Sequence, residues 1–423
     1  MQSERPLILR LTPFFYYPRP QDGWPIRFDP VGGMQVQTWQ ETLLVSQQQI
    51  EQVVLTLGMK GAPVRWRPDD HTLVQTSRIP WPPVRSEIEG TWQLVTAWGL
   101  GTIGWGLKNL LANTVLRRRV QLVHCHCDGV LWPLWVGPLL ARWAGAPLIF
   151  TIHCSRLATY EPMTRLAHLY QSSARSVERR ALRRAQHVIT LTQRMADVYV
   201  SEGVVQREHV TVIPDVVDLE KFQVQQVSGQ GEQYRQRYQI PADKRIVMYI
   251  GRIAHEKGWP YLMQAAALLQ RKDVHFVICG DGPQRERLEQ AVDQYNLRAQ
   301  ITITGFLPHE EMPAFYSLAD VFVLPSLHEE LGSSLLEAMS MERAIVATSV
   351  GGVPDIIKHD YNGLLVPPQS PQELAHAVAD LLDHPEKAQR LARQGHRFVR
   401  EHYGLESKLA RVLQVYQQVG FCA

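Results

Sequence analysis

The chain has 423 residues, of which 45% are hydrophobic and 20% charged. This balance excludes a disordered chain, and the length predicts two or three domains rather than one. The formal net charge is only +3, but the first 215 residues carry 23 Lys and Arg against 16 Asp and Glu. That excess favours an anionic partner or a membrane surface, although an ordinary solvated surface is the simpler explanation.

The cysteine pattern and the hydropathy narrow the class further. Five Cys without CxxC or Cys/His zinc spacing predict reduced thiols and no structural metal. The amino terminus does not read as a signal peptide, and no run of about 18 apolar residues is present to span a bilayer. We expect a cytoplasmic protein without a nucleic-acid partner.

Short apolar runs rich in Val, Ile and Leu alternate with longer helical patterns. This alternation predicts βα units and a parallel sheet covered on both faces. In the first half, strands are predicted at Leu7–Leu11, Gln52–Leu57, Leu73–Ile79, Gln121–His126, Leu148–His153 and Val188–Thr192. In the second half, they are predicted at Arg245–Gly251, Val274–Cys279, Ile301–Thr304, Val321–Pro325 and Ala344–Thr348. Helices are predicted between them, for example at Trp259–Gln270 and Pro283–Tyr295.

The polar stretch Gln223–Gln239 has no apolar period and suggests a domain boundary. We therefore predict an α/β protein with two doubly wound, Rossmann-like domains that face each other across a cleft. The predicted parts are an N-terminal Rossmann-like domain (1–215), a linker (216–240), a C-terminal Rossmann-like domain (241–403) and a last helix (404–423) that crosses back to the first domain.

Two glycine-containing turns of the second half are suited to a phosphate ligand. Gly251 and Arg252 end a strand, and Lys257 precedes the next helix. Free N–H groups at a helix start and two cations would bind a diphosphate, although two surface cations beside a turn are the plain alternative. The segment Gly280-Asp281-Gly282 also joins a strand to a helix, where glycines permit close backbone approach. An ordinary βα turn explains it equally well.

Two glutamates follow the next predicted strand. Glu329 lies in a loop at the carboxyl edge of the sheet, and Glu337 lies inside the following helix. Such a pair can hydrogen-bond the two sugars of one donor, while the amides of Gly332, Ser333 and Ser334 meet the phosphates between them. A capping box with Ser334 as the cap would explain Glu337 alone.

The first half offers two further candidates. Gly32 and Gly33 open the first long helix, where a backbone without side chains can approach a ligand. His153 ends a predicted strand at the carboxyl edge of the sheet, the edge at which open α/β folds bind ligands. A plain turn and a structural histidine are the respective alternatives.

Taken together, these motifs resemble glycosyltransferase family 4, whose members are retaining enzymes with the GT-B architecture. The resemblance rests on Gly32-Gly33, His153, Gly251-Arg252, Lys257-Gly258, Gly280-Asp281-Gly282-Pro283, Pro325-Ser326, Glu329, Gly332 and Leu336-Glu337-Ala338-Met339. One departure is Glu330-Leu331, where the family usually has a small residue and Phe, and this change alters the packing beside the sugar.

The resemblance implies roles for individual residues. Arg252 and Lys257 would neutralise the donor diphosphate, and Glu329 would hold the transferred sugar. Glu337 would hold the ribose, and His153 would touch the sugar near the reacting carbon. The remaining implied donor contacts are Gly32, Gly33, Gly251, Gly280, Asp281, Gly282, Gly332, Ser333 and Ser334.

The first half resembles a narrower group, the aminoglycoside-pathway enzymes that glycosylate 2-deoxystreptamine using UDP-N-acetylglucosamine or UDP-glucose. The likeness is carried by the segments 28–37 and 151–163. A dicationic acceptor favours carboxylates. The candidate acceptor contacts are Asp29, Asp128, Arg156, Tyr160 and Glu161.

The sequence contains no Asp-x-Asp motif, so we expect neither a metal nor another cofactor, with the UDP-sugar as substrate. Cations and helix amino termini would stabilise the leaving diphosphate instead. Three alternatives stay open: transfer to a membrane lipid with peripheral membrane contact, sugar-nucleotide binding without catalysis, and a dinucleotide-dependent oxidoreductase. The last would require GxGxxG after the first strand, and neither half has it there.

Overall fold

The computed structural model describes residues 6–15, 33–58, 63–78, 114–129, 131–157, 165–227 and 229–422. The chain forms two compact units. Within the described residues, the first contains 6–15, 33–214 and 408–422, and the second contains 215–407. None of the helices in the described ranges is both long and apolar enough to cross a bilayer.

The first unit is built on an eight-stranded sheet. Its strands are β1 (Leu7–Phe14), β2 (Glu51–Gly58), β3 (Arg65–Trp66), β4 (Thr72–Arg78), β5 (Val120–Cys127), β6 (Leu148–Ile152), β7 (His187–Thr190) and β8 (Val210–Val212). They lie in the order β3-β4-β2-β1-β5-β6-β7-β8, and every pair except β3–β4 is parallel. This arrangement is a doubly wound sheet.

Helices of the first unit connect or cover these strands. They are α1 (Gly33–Gln47), α2 (Thr114–Arg119), α3 (Trp132–Ala144), α4 (Arg165–Leu182) and α5 (Gln193–Ser201). The last helix of the chain, α14 (Leu405–Gln418), also packs on this sheet: its Val412 and Val415 share a buried cluster with Ile8 and Leu122.

The second unit is built on a six-stranded parallel sheet. Its strands are β9 (Arg245–Ile250), β10 (Val274–Cys279), β11 (Ile301–Gly305), β12 (Val321–Leu324), β13 (Ala344–Thr348) and β14 (Leu364–Val366). They lie in the order β11-β10-β9-β12-β13-β14. The order reverses at β9, which places the carboxyl ends of β9 and β12 side by side, the position at which open α/β sheets bind ligands.

The helices of the second unit fill the connections between these strands. They are α6 (Gly231–Arg237), α7 (Trp259–Leu269), α8 (Arg285–Gln294), α9 (Met312–Tyr316), α10 (Ser333–Ser340), α11 (Val353–Ile356), α12 (Pro371–Asp383) and α13 (Pro385–His402). The stretch 216–240, which the sequence suggests as a linker, contains α6 and belongs to the second unit. Within it, the Phe222 carbonyl accepts a hydrogen bond from Ser340 Oγ of α10 at 2.8 Å.

Candidate active site

The predicted diphosphate site lies where β9 ends. The strand stops at Ile250, and a short 3-10 turn, His255–Lys257, precedes α7. Gly258 begins that helix with φ of +68°, a left-handed conformation that glycine adopts without strain. A Cβ at this position would lie 1.8 Å from the Pro325 carbonyl oxygen, so the two loops approach as closely as a glycine allows.

Lys257 and Glu329 form an ion pair at this edge of the sheet. Lys257 Nζ lies 2.9 and 2.7 Å from the two carboxylate oxygens of Glu329. Ser326 Oγ donates a third hydrogen bond to the same carboxylate at 3.0 Å. The side chains of Lys257 and Glu329 are mostly buried, with 23% and 12% of their surface exposed. The structure therefore brings the two predicted residues into direct contact.

Arg252 has a different environment. Its guanidinium pairs with Glu256 one turn further on, and half of the side chain is exposed to solvent. Burial opposes ionisation of Glu256, but the charges of Arg252 and Lys257 and the hydrogen bonds to the carboxylate together lower the pKa of that group. Both predicted cations of the second unit thus lie against glutamates within that unit.

Glu337 is held by residues that sequence reasoning did not identify. Tyr316 donates its hydroxyl hydrogen bond to Glu337 Oε2 at 2.9 Å and contacts the Ser334 carbonyl at 3.2 Å. His309 Nε2 lies 2.9 Å from Glu337 Oε1, and its Nδ1 lies 2.9 Å from Lys221 Nζ. A lysine ammonium has no acceptor, so His309 Nδ1 accepts and Nε2–H donates to the carboxylate.

The geometry contradicts the capping-box alternative for Glu337. Helix α10 begins at Ser333 after Gly332, which has φ of +93°, and no side chain caps its start. Ser333 Oγ instead bonds Asp215 Oδ2 at 3.1 Å. Because Glu337 is bonded to His309 and Tyr316, its carboxylate does not reach back to the helix start.

The glycines after β10 and β13 allow the backbones of neighbouring loops to approach each other closely. A Cβ on Gly280 would lie 2.0 Å from the Gly251 carbonyl oxygen, and one on Gly351 would lie 1.6 Å from that of Glu329. Gly282 donates its N–H to Asp281 Oδ1 at 2.7 Å. These contacts pack the loops that carry the predicted donor residues against one another.

In the first unit, His153 directly follows β6 and is 6% exposed. Its backbone N–H donates to the Cys127 carbonyl at 2.7 Å, and its Nε2 lies 3.2 Å from His126 Nδ1. Asp128 directly follows β5 and is partly buried. His153 and Asp128 thus both lie at the carboxyl edge of this sheet.

The Arg156 side chain forms hydrogen bonds close to the loop that follows His153. Its side chain donates to the Gly129 carbonyl at 3.1 and 3.0 Å. The buried Glu178 accepts hydrogen bonds from Ser155 Oγ, the Arg156 N–H and the Tyr199 hydroxyl, at 2.8, 2.7 and 2.6 Å. Glu178, which sequence reasoning missed, therefore fixes the backbone beside His153.

Not every predicted site residue can be located. Gly33 is the exposed first residue of α1. The predicted residues Gly32, Asp29, Tyr160 and Glu161 lie outside the described residues.

Another feature that was not predicted from the sequence is a buried polar cluster beside His153. We call it the Arg10 cluster; it consists of Arg10, Glu41, His124, His126, Lys408 and Tyr416. Arg10 is completely buried, and its Nη1 lies 2.6 Å from Glu41 Oε1, 2.7 Å from His126 Nε2 and 3.3 Å from His124 Nδ1.

The charges of the cluster are set by burial and by one another. Burial alone would raise the pKa of Glu41, but the positive charges of Arg10 and Lys408 lower it to about 2. Burial lowers the pKa of His124 to about 3, and Arg10 acts in the same direction. The pKa of His126 is lowered well below its ordinary value for the same reasons. Near neutral pH, the cluster thus contains an ionised Glu41 and neutral histidine rings.

This charge state predicts acid lability. An unfolded histidine takes up a proton near pH 6.5, whereas folded His124 does so only near pH 3. The unfolding free energy is therefore not reduced by His124 above pH 6.5, and it decreases as the pH falls below that value. At pH 5 we expect His124 alone to cost about 2 kcal/mol of unfolding free energy relative to pH 7.5. Urea unfolding across this range measures the loss, and the variant His124→Gln should show a shallower decline. A flat profile in the wild type would contradict the prediction.

Comparison with known proteins identifies the family. The model of the "Glycosyl transferases group 1" family matches residues 230–398, and that of the "Glycosyl transferase 4-like domain" matches residues 32–215. The 2-deoxystreptamine N-acetyl-D-glucosaminyltransferase of Streptomyces fradiae is 41% identical over 90% of this chain and 89% of its own length. The 2-deoxystreptamine glucosyltransferase of Streptomyces kanamyceticus is 37% identical over 91% of this chain and 99% of its own length.

Among solved structures, sucrose-phosphate synthase from Thermosynechococcus elongatus superimposes with a TM-score of 0.80. It is 24% identical and covers 98% of this chain and 99% of its own. The chain belongs to the group 1 glycosyltransferases with the GT-B fold, and it is a glycosyltransferase enzyme. The resemblance to glycosyltransferase family 4 is confirmed, whereas the roles of individual residues stay predictions.

Proposed function

We propose that this enzyme transfers N-acetylglucosamine or glucose from a UDP-sugar to 2-deoxystreptamine with retention of configuration. The observation that carries the acceptor is that relatives at 41% and 37% identity, aligned over nearly the whole chain, are named for that acceptor. A dicationic aminocyclitol favours a carboxylate neighbour, and Asp128 lies at the carboxyl edge of the first sheet.

The donor side of the proposal rests on the second unit. Lys257 and Arg252 supply positive charge for a diphosphate, and Glu329 beside Lys257 supplies a carboxylate for hydroxyls of the transferred sugar. Glu337 receives hydrogen bonds from His309 and Tyr316, which fix its orientation and leave lone pairs for the ribose hydroxyls. His153 is proposed to contact the sugar near its reacting carbon, as the family resemblance implies.

The reaction that we propose needs no metal. The bond between the sugar C1 and the β-phosphate oxygen breaks, and a bond forms from C1 to the acceptor oxygen on the same face. The acceptor hydroxyl proton passes to the departing phosphate. Lys257 and Arg252 stabilise the charge on that phosphate, an electrostatic contribution to catalysis.

The direct test incubates the enzyme with UDP-N-acetylglucosamine or UDP-glucose and 2-deoxystreptamine, and identifies products by mass spectrometry and NMR. We expect an α-linked monoglycoside and release of UDP that depends on the acceptor, in buffer containing EDTA. A parallel reaction contains lipid vesicles, and transfer only to lipids would show that 2-deoxystreptamine is not the acceptor. A β-linked product would contradict retention of configuration. UDP release without any acceptor would show hydrolysis rather than transfer.

A further inference from the structure

A chain of hydrogen bonds connects Arg10 through His126 to His153. Arg10 Nη1 lies 2.7 Å from His126 Nε2, and His126 Nδ1 lies 3.2 Å from His153 Nε2. All three side chains are at least nine-tenths buried, because their exposures are 0%, 0% and 6%. The direction of these hydrogen bonds can therefore be worked out from the donors and acceptors that each group offers.

A guanidinium has donors only and does not lose its proton in proteins. His126 Nε2 must accept the hydrogen bond from Arg10, so the proton of a neutral His126 ring lies on Nδ1. That Nδ1–H donates to His153 Nε2, which must in turn be an acceptor. The proton of a neutral His153 ring then lies on Nδ1.

The proton of His124, the other histidine of the cluster, can be placed by the same reasoning. Arg10 Nη2 donates to the Tyr416 hydroxyl at 3.1 Å, so that hydroxyl directs its own hydrogen to His124 Nδ1 at 2.8 Å. His124 is then protonated on Nε2, which faces Thr151 Oγ1 at 2.8 Å. One consistent assignment of protons therefore satisfies these hydrogen bonds, and it begins at Arg10.

The geometry also shows how Arg10 is held in place. Glu41, His124 and His126 each offer one ligand atom within 4.8 Å of the others, a spacing that suits a metal ion. Arg10 Nη1 contacts all three atoms, so a metal ion would have to displace the guanidinium. Gln52 accepts from Arg10 Nε at 3.2 Å and from Nη2 at 3.0 Å, which fixes the plane of the group.

We propose that Arg10 and His126 are positioning residues that hold His153 as a neutral ring with its proton on Nδ1. The inference rests on the proposed function for its catalytic meaning, that is, for the contact of His153 with the transferred sugar. A proton on His153 Nε2 would face the Nδ1–H of His126, so the cluster disfavours the Nε2–H tautomer of His153. A neutral ring places no positive charge beside a sugar carbon that becomes electron-poor as its bond to phosphate breaks.

NMR of the full chain labelled with ring-15N histidine tests the proposal without reference to activity. The signals of His153 are assigned by their loss in the variant His153→Gln. At pH 7.5 we expect His153 and His126 to show the pattern of the Nδ1–H tautomer, which is the less common form in free histidine, and His124 to show the Nε2–H pattern. A His153 ring protonated on Nε2, alone or as imidazolium, would overturn the proposal.

Two substitutions of His126 separate positioning from packing. His126→Phe keeps the ring but loses both hydrogen bonds; we expect His153 to lose its single tautomer, with kcat lowered about tenfold and KM for the UDP-sugar nearly unchanged. His126→Asn can accept from Arg10 and donate to His153, so it should retain the tautomer and most of kcat. A His153 tautomer unchanged in His126→Phe would also overturn the proposal.

A matched control is His187→Phe. His187 is a buried strand histidine of the same unit, bonded to Thr211 Oγ1 at 2.8 Å and outside the Arg10 cluster. It should alter neither the His153 signals nor kcat. If His126→Phe changes the tautomer but leaves kcat unchanged, the positioning stands and the role of His153 in the proposed function falls.

Discussion

Replacing Lys257 by Met should lower kcat/KM for sugar transfer by about 10²- to 10³-fold, the loss expected when one preorganised group that stabilises developing negative charge is removed. Lys257 Nζ contacts both oxygens of Glu329, so this carboxylate fixes the position of the ammonium. Steady-state kinetics with UDP release as the readout measures the loss. Wild-type turnover in a folded Lys257→Met enzyme would contradict the assignment of the diphosphate site.

One further variant shows whether the loss comes from the missing cation or from a carboxylate left without its partner. In Lys257→Met, Glu329 retains the Ser326 hydroxyl but loses its counter-charge. The double variant Lys257→Met/Glu329→Gln removes that buried charge, so recovery of activity in it would show that the effect was structural. We expect no recovery.

A matched surface control is Lys387→Met. Lys387 also pairs with a carboxylate, Asp380 at 2.8 Å, but this pair joins α13 to α12 and its side chains are 30% and 34% exposed. A partly exposed pair of this kind contributes little to stability. The control should therefore retain full kcat/KM and a nearly unchanged unfolding midpoint.

Much of the fold could be predicted from the sequence because its strands are buried on both faces. Val274–Cys279 and Ala344–Thr348 have the predicted bounds, since a central parallel strand is a continuous apolar run that ends where burial ends. The strands that were missed are β3, β8 and β14, at two or three residues each. So short a segment has no measurable period in the sequence.

Candidate residues could be chosen from the sequence, but the hydrogen-bond network around them could not. The order and spacing of the motifs suggested Lys257, Glu329 and Glu337, and their roles stay predictions. The partners of Glu337, however, lie 28 and 21 positions earlier, at His309 and Tyr316, and only the folded chain brings them together. No local pattern in the sequence encodes such a contact.

The Arg10 cluster has a weak signature in the sequence, namely polar residues two positions apart within buried strands. Arg10 and Thr12 alternate along β1, and His124 and His126 alternate along β5, each within a mostly apolar strand. Polar groups on the same face of adjacent buried strands must satisfy one another, so they predict a buried network. Its other members, Glu41, Lys408 and Tyr416, lie in helices, and Tyr416 is 406 positions from Arg10, so identifying them required the structure.

Replacing Gly258 by Ala should destabilise the second unit by about 3 kcal/mol or more, because two separate costs act at one position. The residue has φ of +68°, and an added Cβ would meet the Pro325 carbonyl oxygen at 1.8 Å. The clash involves backbone, which cannot rotate away as a side chain would. Relief requires the loop bearing Lys257 to separate from the loop bearing Glu329, so KM for the donor should rise as stability falls.

Gly229→Ala separates the clash from the conformational strain. Gly229 lies in the same unit with φ of +78°, but an added Cβ there meets no atom within 4 Å. It should cost only the left-handed strain of an L-residue, about 1 kcal/mol, and leave donor KM unchanged. Urea unfolding of both variants measures the loss of stability, and donor saturation curves measure the change in KM. Equal losses for Gly258→Ala and Gly229→Ala would mean that the loops are not locked together at Pro325.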